Sequence, residues 1–393
     1  MGTAERRIDI REPHRAGGDH RAFVAGSALI RRTGGANAIA DEARRRGRAA
    51  GINPSGRFEA LSRHVFDDGW RTIEELPPFE TQVQAEKPRT IITKNDSPDI
   101  SFDRSINPYR GCEHGCIYCF ARPTHAYLGL SAGVDFESKL FAKPDAARLL
   151  ERELSKPGYR PATIAIGTNT DPYQPIEREW RVMRGILEVL EKANHPVGIV
   201  TKSALVLRDI DILSRMAARG LAKVALSVTT LDRKLARSME PRAATPALRL
   251  KAIHDLAEAG IPVSVMVAPV IPALTDHEME HILDSARAAG AEEAGFILLR
   301  LPLEVSPLFR DWLLRVFPDR YRHVMNLVRA MRGGKDYDAE FGSRMRGSGP
   351  YAWQIARRFE MATKRLGFRN QRRALDATAF VPPLQCERQL ALF

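Results

Sequence analysis

From about Ser105 to Pro307 the chain alternates short apolar runs with longer stretches whose apolar residues recur at three-and-four spacing. More than any single residue, this rhythm limits what the sequence can fold into. The apolar runs lie at 162–166, 197–200, 224–228, 263–267 and 296–301, and each has the length of a buried strand. The segments near 145–155, 178–192, 209–219, 246–259 and 276–289 have the period of helices packed by one face. Their ends are punctuated. Thr245 with Pro246 predicts an N-cap followed by proline in the first turn, and Thr275 with Glu278 predicts a capping box. Gly220, Gly260 and Gly290 stand where helices should stop.

With one more strand just before Cys112, about six strand-helix units fit into roughly 200 residues. Regular alternation calls for a parallel sheet with helices outside, and right-handed crossovers curl it toward a barrel. A full eight-unit barrel takes about 250 residues, so the expected α/β fold is a partial (β/α)6 barrel of TIM type over 105–307. Residues 1–55 are rich in Arg, Gly and Ala without a sustained apolar period, and most of them are expected to be disordered. Residues 56–104, broken by Pro77, Pro78, Pro88 and Pro98, read as a wrapping extension. After Pro307 the alternation stops. Helical stretches near 309–332 and 351–366 flank a Gly-rich basic loop at 332–349, so 308–393 reads as a basic helical cap.

Charge follows the same partition. The 393 residues carry a formal charge of +12, but 51–307 holds 32 basic and 34 acidic residues. The excess sits in 1–50, with 11 basic against 6 acidic, and in 308–373, with 16 against 6. Basic flanks of this kind suit a polyanionic partner such as a nucleic acid, or simply form a solvated arginine-rich face; the residues leave both readings open. No apolar run approaches the ~18 residues of a membrane span, and no secretory leader pattern opens the chain, so a cytoplasmic protein without a membrane partner is expected.

The chemistry is concentrated in Cys112, Cys116 and Cys119, three of only four cysteines, spaced Cys-x3-Cys-x2-Cys. Disulfides at that spacing would be strained and would add little to a chain this large, whereas clustered thiolates suit a metal in a reducing compartment. Three thiolates can each hold one iron of a cubane and leave the fourth open to a ligand. A closed zinc site would want a fourth donor, which His114 or His125 could supply. The remaining thiol, Cys386, lies near the carboxyl terminus and could donate a hydrogen atom, ligate a cluster or stay free.

The triplet, with Tyr118 before its last Cys and a six-unit α/β array behind it, resembles the radical S-adenosylmethionine (radical SAM) superfamily. That resemblance implies a radical SAM-type partial barrel in which Cys112, Cys116 and Cys119 hold a [4Fe-4S] cluster. The open iron would bind S-adenosylmethionine, and reductive cleavage would give a 5′-deoxyadenosyl radical that abstracts hydrogen from a substrate. An electron donor such as flavodoxin or ferredoxin is implied as a partner. From about Ser101 to Leu303 the chain is similar to the spore photoproduct lyase branch and its uncharacterised relatives. Thr170 and Asp171 in Asn169-Thr-Asp-Pro-Tyr-Gln-Pro, Lys202 in Thr201-Lys202 and Ser227 in Leu226-Ser-Val-Thr-Thr match positions that contact the cofactor in that branch, and Tyr118 is expected beside the cluster or the adenine. Met239-Glu-Pro resembles the branch's Phe-Glu-Pro, and Ala268-Pro269 ends the fifth strand as it does there.

Each of these residues has a plainer reading. Lys202 could form a rim salt bridge, Asp171 could cap a helix, and Ser227 and Thr229 could be satisfied core hydroxyls. Glu240 and Arg242 could pair within their loop, and Arg300 could clamp a substrate or pair with a core acid. One departure matters for substrate. The branch carries a hydrogen-donating Cys near the end of its second strand, and 165–171 holds none, so repair by that route is not expected to transfer. No further Cys cluster exists to hold a second, auxiliary cluster. The expected function is therefore a radical SAM enzyme, lyase-like, abstracting hydrogen from a substrate that the sequence leaves open, a nucleic acid in repair- or modification-like chemistry being one reading; the alternatives are a radical SAM enzyme acting on a small molecule or peptide, or a non-catalytic iron-sulfur or zinc protein.

Overall fold

In the computed structural model, which describes residues 46–59 and 78–383, the apolar runs are strands and the periodic segments are helices. Strands β1 to β10 are Gln82–Ala85, Ile92–Lys94, Arg104–Ile106, Tyr109–Arg110, Lys139–Ala142, Ile164–Ile166, Val197–Thr201, Ala222–Ser227, Val263–Val270 and Glu293–Leu298. The main helices α1 to α9 are Ala146–Leu154, Val182–Lys192, Ile210–Ala218, Arg233–Met239, Pro246–Glu258, Met279–Ala288, Val305–Val316, Tyr321–Ala330 and Gly349–Arg365.

Six strands, β3, β6, β7, β8, β9 and β10, pair in parallel and in chain order, and β2 adds an antiparallel edge beside β3. This is the expected (β/α)6 array. Ile106, Ile164, Ile166, Val197, Ile199, Val224, Leu226, Val263 and Val265 are all buried, and in β7, β8 and β9 they alternate with half-buried residues, so one face of each of these strands is fully covered. Gly220, Gly260 and Gly290 follow α3, α5 and α6 in the left-handed region, with φ of 70°, 75° and 103°.

Several expectations are corrected. The run 296–301 is only half strand: β10 ends at Leu298, and Leu299 and Leu301 instead pack in the cluster with Val305, Leu308 and Phe309 of α7. Thr275 and Glu278 form no capping box. The Thr275 hydroxyl accepts from Ile271 N–H at 2.9 Å, while the Glu278 carboxylate is taken by the Thr230 hydroxyl and by Leu231 N–H at 2.7 Å. Of the first 55 residues, most of them expected to be disordered, the described stretch 46–55 includes Arg48, Ala49, Ala50 and Ile52, which are buried. The side sheet β1-β5-β4 also escaped the period analysis, because its strands have four residues or fewer and join distant parts of the chain. Residues 1–45 and Cys386 lie outside the described residues. Among the described residues, no helix is long and apolar enough to cross a membrane.

Candidate active site at the carboxyl end of the barrel

The three cysteines sit in a loop that leaves β4 and crosses the carboxyl end of the parallel strands. Two left-handed glycines turn it, Gly111 at φ 72° and Gly115 at φ 66°. A Cβ on Gly115 would stand 2.7 Å from a Glu137 carboxylate oxygen, so glycine is required for space as well as conformation. The loop holds itself by Gly115 N–H to Cys112 O at 3.1 Å and Cys119 N–H to Cys116 O at 3.2 Å. Ile117 N–H reaches Met239 O at 2.9 Å and ties the loop to the end of α4.

Beneath the loop lies a fully buried Arg122–Glu137 ion pair at 2.5 Å. Arg122 also donates to the carbonyls of Gly115, Cys116, Ala132 and Gly133 at 2.9 to 3.0 Å. Glu137 in turn accepts Ala49 N–H and Ala50 N–H, both at 3.0 Å. The buried stretch after Arg48 is thus part of the support for the cysteine loop. Gln174 clamps the loop from the other side, accepting Glu113 N–H at 2.8 Å and donating to Gly111 O at 3.2 Å. Arg242 does not pair within its own loop; it bonds Glu113 between the first two cysteines.

Asp171 knits the cysteine loop to the end of β7. Its carboxylate accepts the Thr201 hydroxyl at 2.6 Å, Lys202 N–H at 2.7 Å and Tyr173 N–H at 2.9 Å, and lies 3.3 Å from His114 Nδ1. Burial alone would raise its pKa, but His114 and these donors outweigh it and hold the carboxyl at about 2. Thr170 donates to Tyr109 O at 3.0 Å, so its hydroxyl braces the loop. Asp171 and Thr170 therefore already have protein partners for the groups assigned to a cofactor by resemblance.

Tyr118, Lys202, Ser227, Thr229 and Glu240 come together at the mouth. The Tyr118 hydroxyl donates to Glu240 and lies 3.2 Å from the Thr229 hydroxyl, and Glu240 pairs with buried Arg249. This network fixes the tyrosine ring as a wall. The Lys202 ammonium sits 5.8 Å from the center of that ring and forms no ion pair among the described residues. The Ser227 hydroxyl likewise has no hydrogen-bond partner among the described residues, although Ser227 is buried. Two donors at the carboxyl ends of β7 and β8 are therefore without protein partners among the described residues.

Burial pushes the Cys112 and Cys116 thiols well up from their ordinary value, with nearby acids adding to it and Lys202 and Arg249 partly opposing it at Cys116. Such thiols become thiolates only against a strong positive charge, which a bound metal supplies. Cys112, Cys116 and Cys119 are all unbridged. No three His, Cys, Asp or Glu side chains among the described residues converge on a single ion. Three thiolates within eight residues, each able to take a different iron, suit a cubane, whereas a zinc site would need a fourth donor beside them. Of the other zinc candidates, His114 Nδ1 lies against Asp171, and His125 Nε2 bonds Lys139 O at 2.9 Å while its Nδ1 is buried without a partner among the described residues.

Arg122, Glu137, Gln174 and Arg249 were not singled out by sequence. Only Gln174 had a signal, its place in the 169–175 motif; the others act through partners distant in sequence or over carbonyls that no pattern marks.

A family model described as the Radical SAM superfamily matches residues 106–286. An uncharacterised protein of Mycobacterium tuberculosis is 39% identical over 230 residues, spanning 57% of this chain and 68% of the relative. An uncharacterised protein of Methanocaldococcus jannaschii is 28% identical over 222 residues, spanning 56% and 79%. Among solved structures, a spore photoproduct lyase mutant with bound AdoMet and dinucleoside spore photoproduct matches with a TM-score of 0.55 and 16% identity, over 73% of this chain and 80% of that one. At that identity the likeness concerns the fold.

Proposed function

The chain belongs to the radical S-adenosylmethionine superfamily, whose members are enzymes using a [4Fe-4S] cluster and S-adenosylmethionine, and on that premise we propose a role for each residue at the mouth. Cys112, Cys116 and Cys119 hold the cluster. The chemistry that cluster and cofactor supply once bound is one-electron reductive cleavage of the cofactor, leading to hydrogen abstraction from a substrate. The Lys202 ammonium pairs with the cofactor carboxylate, Ser227 donates to the cofactor, and the fixed Tyr118 ring bounds the space beside both. Asp171 and Thr170 position this machinery: Asp171 orients the Lys202 backbone, and Thr170 braces the strand leading into the cysteine loop. The observation that carries the reading is the three unbridged thiols, with a lysine against the Tyr118 ring and a serine at the end of β8 that are both without partners among the described residues, at the carboxyl end of a partial barrel.

Anaerobic reconstitution of the full chain is expected to give about four iron per chain and, with reductant and S-adenosylmethionine, 5′-deoxyadenosine. A filled cluster that never cleaves the cofactor would overturn the reading. Lys202→Met removes a charge-assisted bond worth ~1.5–3 kcal/mol, so cofactor affinity should weaken roughly 10- to 100-fold with the cluster retained. Calorimetry with S-adenosylmethionine on the reconstituted variant checks this.

The substrate we propose is a nucleic acid, supported by the basic excess of 308–373 against the near-neutral barrel. If six phosphates are neutralised, affinity for a DNA oligonucleotide should fall roughly 10³-fold between 50 and 200 mM salt. Fluorescence anisotropy across that range measures it, and a flat response would favour the small-molecule or peptide reading. Three unbridged thiols suit a cytoplasmic setting with a flavodoxin- or ferredoxin-type donor, and both belong to the same proposal.

A further inference from the structure

Among the described residues, Arg300 and Arg332 differ from the other arginines around the mouth in forming no ion pair, with Asp99 and Asp338 acting on them only at longer range. Elsewhere the guanidinium groups are matched. Arg122 has Glu137, Arg249 has Glu240, Arg310 and Arg329 share Asp336, and Arg344 has Asp99. Arg332 is only 2% exposed, yet its donors go to two carbonyls, Leu299 O and Ser343 O, both at 2.9 Å, and its Nε has no partner. Arg300, two residues beyond β10, reaches only the Met345 sulfur at 3.3 Å and the Tyr337 hydroxyl at 3.4 Å, and its Nε is also buried without a partner.

The acids of the surrounding loops are committed elsewhere. Asp99 takes Arg344 and Gly342 N–H, Asp336 takes Ser306, Arg310 and Arg329, and Asp338 takes the Ser343 hydroxyl at 2.5 Å and Glu340 N–H at 3.0 Å. A buried guanidinium beside a half-buried one, neither of them in an ion pair among the described residues, is costly, and an anionic ligand between them would offset that cost. Burial and then the neighbouring Arg300 lower the pKa of Arg332, and Asp338 and Tyr337 only partly oppose them.

The surroundings say what kind of ligand. The Arg300 guanidinium carbon lies 5.1 Å from the ring center of Phe120 and 5.9 Å from that of Tyr337. Stacking of this kind orients a guanidinium and leaves its edge free for an oxyanion. Phe120 directly follows Cys119 and is 45% exposed. An anion held by Arg300 is therefore one aromatic ring away from the third cysteine.

We propose that Arg300, backed by Arg332 and framed by Phe120 and Tyr337, is an oxyanion subsite that anchors a phosphate or carboxylate group of the substrate beside the cysteine loop. Its placement as a substrate site rests on the radical reading of the mouth, but anion binding itself does not.

Isothermal titration calorimetry of the full, reconstituted chain at fixed moderate ionic strength, without reductant or cofactor, tests it. Pyrophosphate and citrate are the two probes, and the tighter one identifies a phosphoryl or a carboxylate source. One saturable site is expected, weakened at least tenfold by Arg300→Gln and by a smaller factor by Arg300→Lys, which keeps the charge but loses the planar fork. Arg365→Gln, on the exposed end of α9, controls for general basicity. Absence of saturable binding by either probe, or equal weakening in Arg300→Gln and Arg365→Gln, would overturn the subsite. Cofactor cleavage is read in a separate assay, so failure there bears on the radical reading and leaves this result standing.

Discussion

Cys116→Ala is expected to reduce both iron content and 5′-deoxyadenosine formation to the background of cluster-free protein while the barrel stays folded. The backbone of the loop does not depend on this sulfur. Cys116 O receives Arg122 and Cys119 N–H, and the following Ile117 N–H reaches Met239 O, all through main-chain groups that alanine retains. Removing one buried sulfur should cost on the order of 1 kcal/mol, a typical value for a single core truncation. The consequence for metal is different in kind, because two thiolates cannot hold a cubane that is built on three. Iron analysis, product chromatography and a thermal melt followed by circular dichroism separate the two effects. An iron-bearing variant with full cleavage would remove Cys116 from the ligand set. Global unfolding would point instead to a structural metal, whose binding energy is folding energy.

The barrel was legible because its signal is local and repeated. Each strand-helix unit carries its own change of period, and glycines at 220, 260 and 290 mark where helices stop. The six parallel strands follow from that pattern together with the handedness of crossovers. The cysteine triplet was legible for the same reason, since its three functional groups fall within eight residues. What supports it was not. Glu137 is linked to Ala49 and Ala50 across almost ninety residues, and Arg242 to Glu113 across more than a hundred. Nothing in residue spacing announces such pairs. The capping box failed for a related reason: Glu278 has the right spacing from Thr275, but the loop after β8 offers Thr230 and Leu231 as competing donors, and tertiary bonding prevailed. Asp171 and Thr170 were singled out by resemblance, but only the folded structure reveals that their polar atoms are already occupied.

Glu137→Gln is expected to destabilise the chain by ~3–5 kcal/mol and to lower cluster occupancy with it. The substitution keeps shape and removes charge, leaving the fully buried Arg122 guanidinium without its counter-ion. Gln also replaces one of two acceptor oxygens by a donor. Arg122 Nη2, Ala49 N–H and Ala50 N–H now compete for what remains, and at least one buried N–H loses its partner. The effect should reach the thiols, because Arg122 holds the carbonyls of Gly115 and Cys116 and sets the curvature of the cysteine loop. A double-mutant cycle makes the cause explicit. Arg122→Met leaves an uncompensated carboxylate and should be similarly costly, whereas the double variant Arg122→Met with Glu137→Met removes both charges and should cost clearly less than the sum of the single changes. Urea unfolding of the four proteins measures the coupling, and iron content after reconstitution follows its effect on the loop. Strict additivity would mean that the two residues act independently, and the ion pair would then not be what holds the cysteine loop in place.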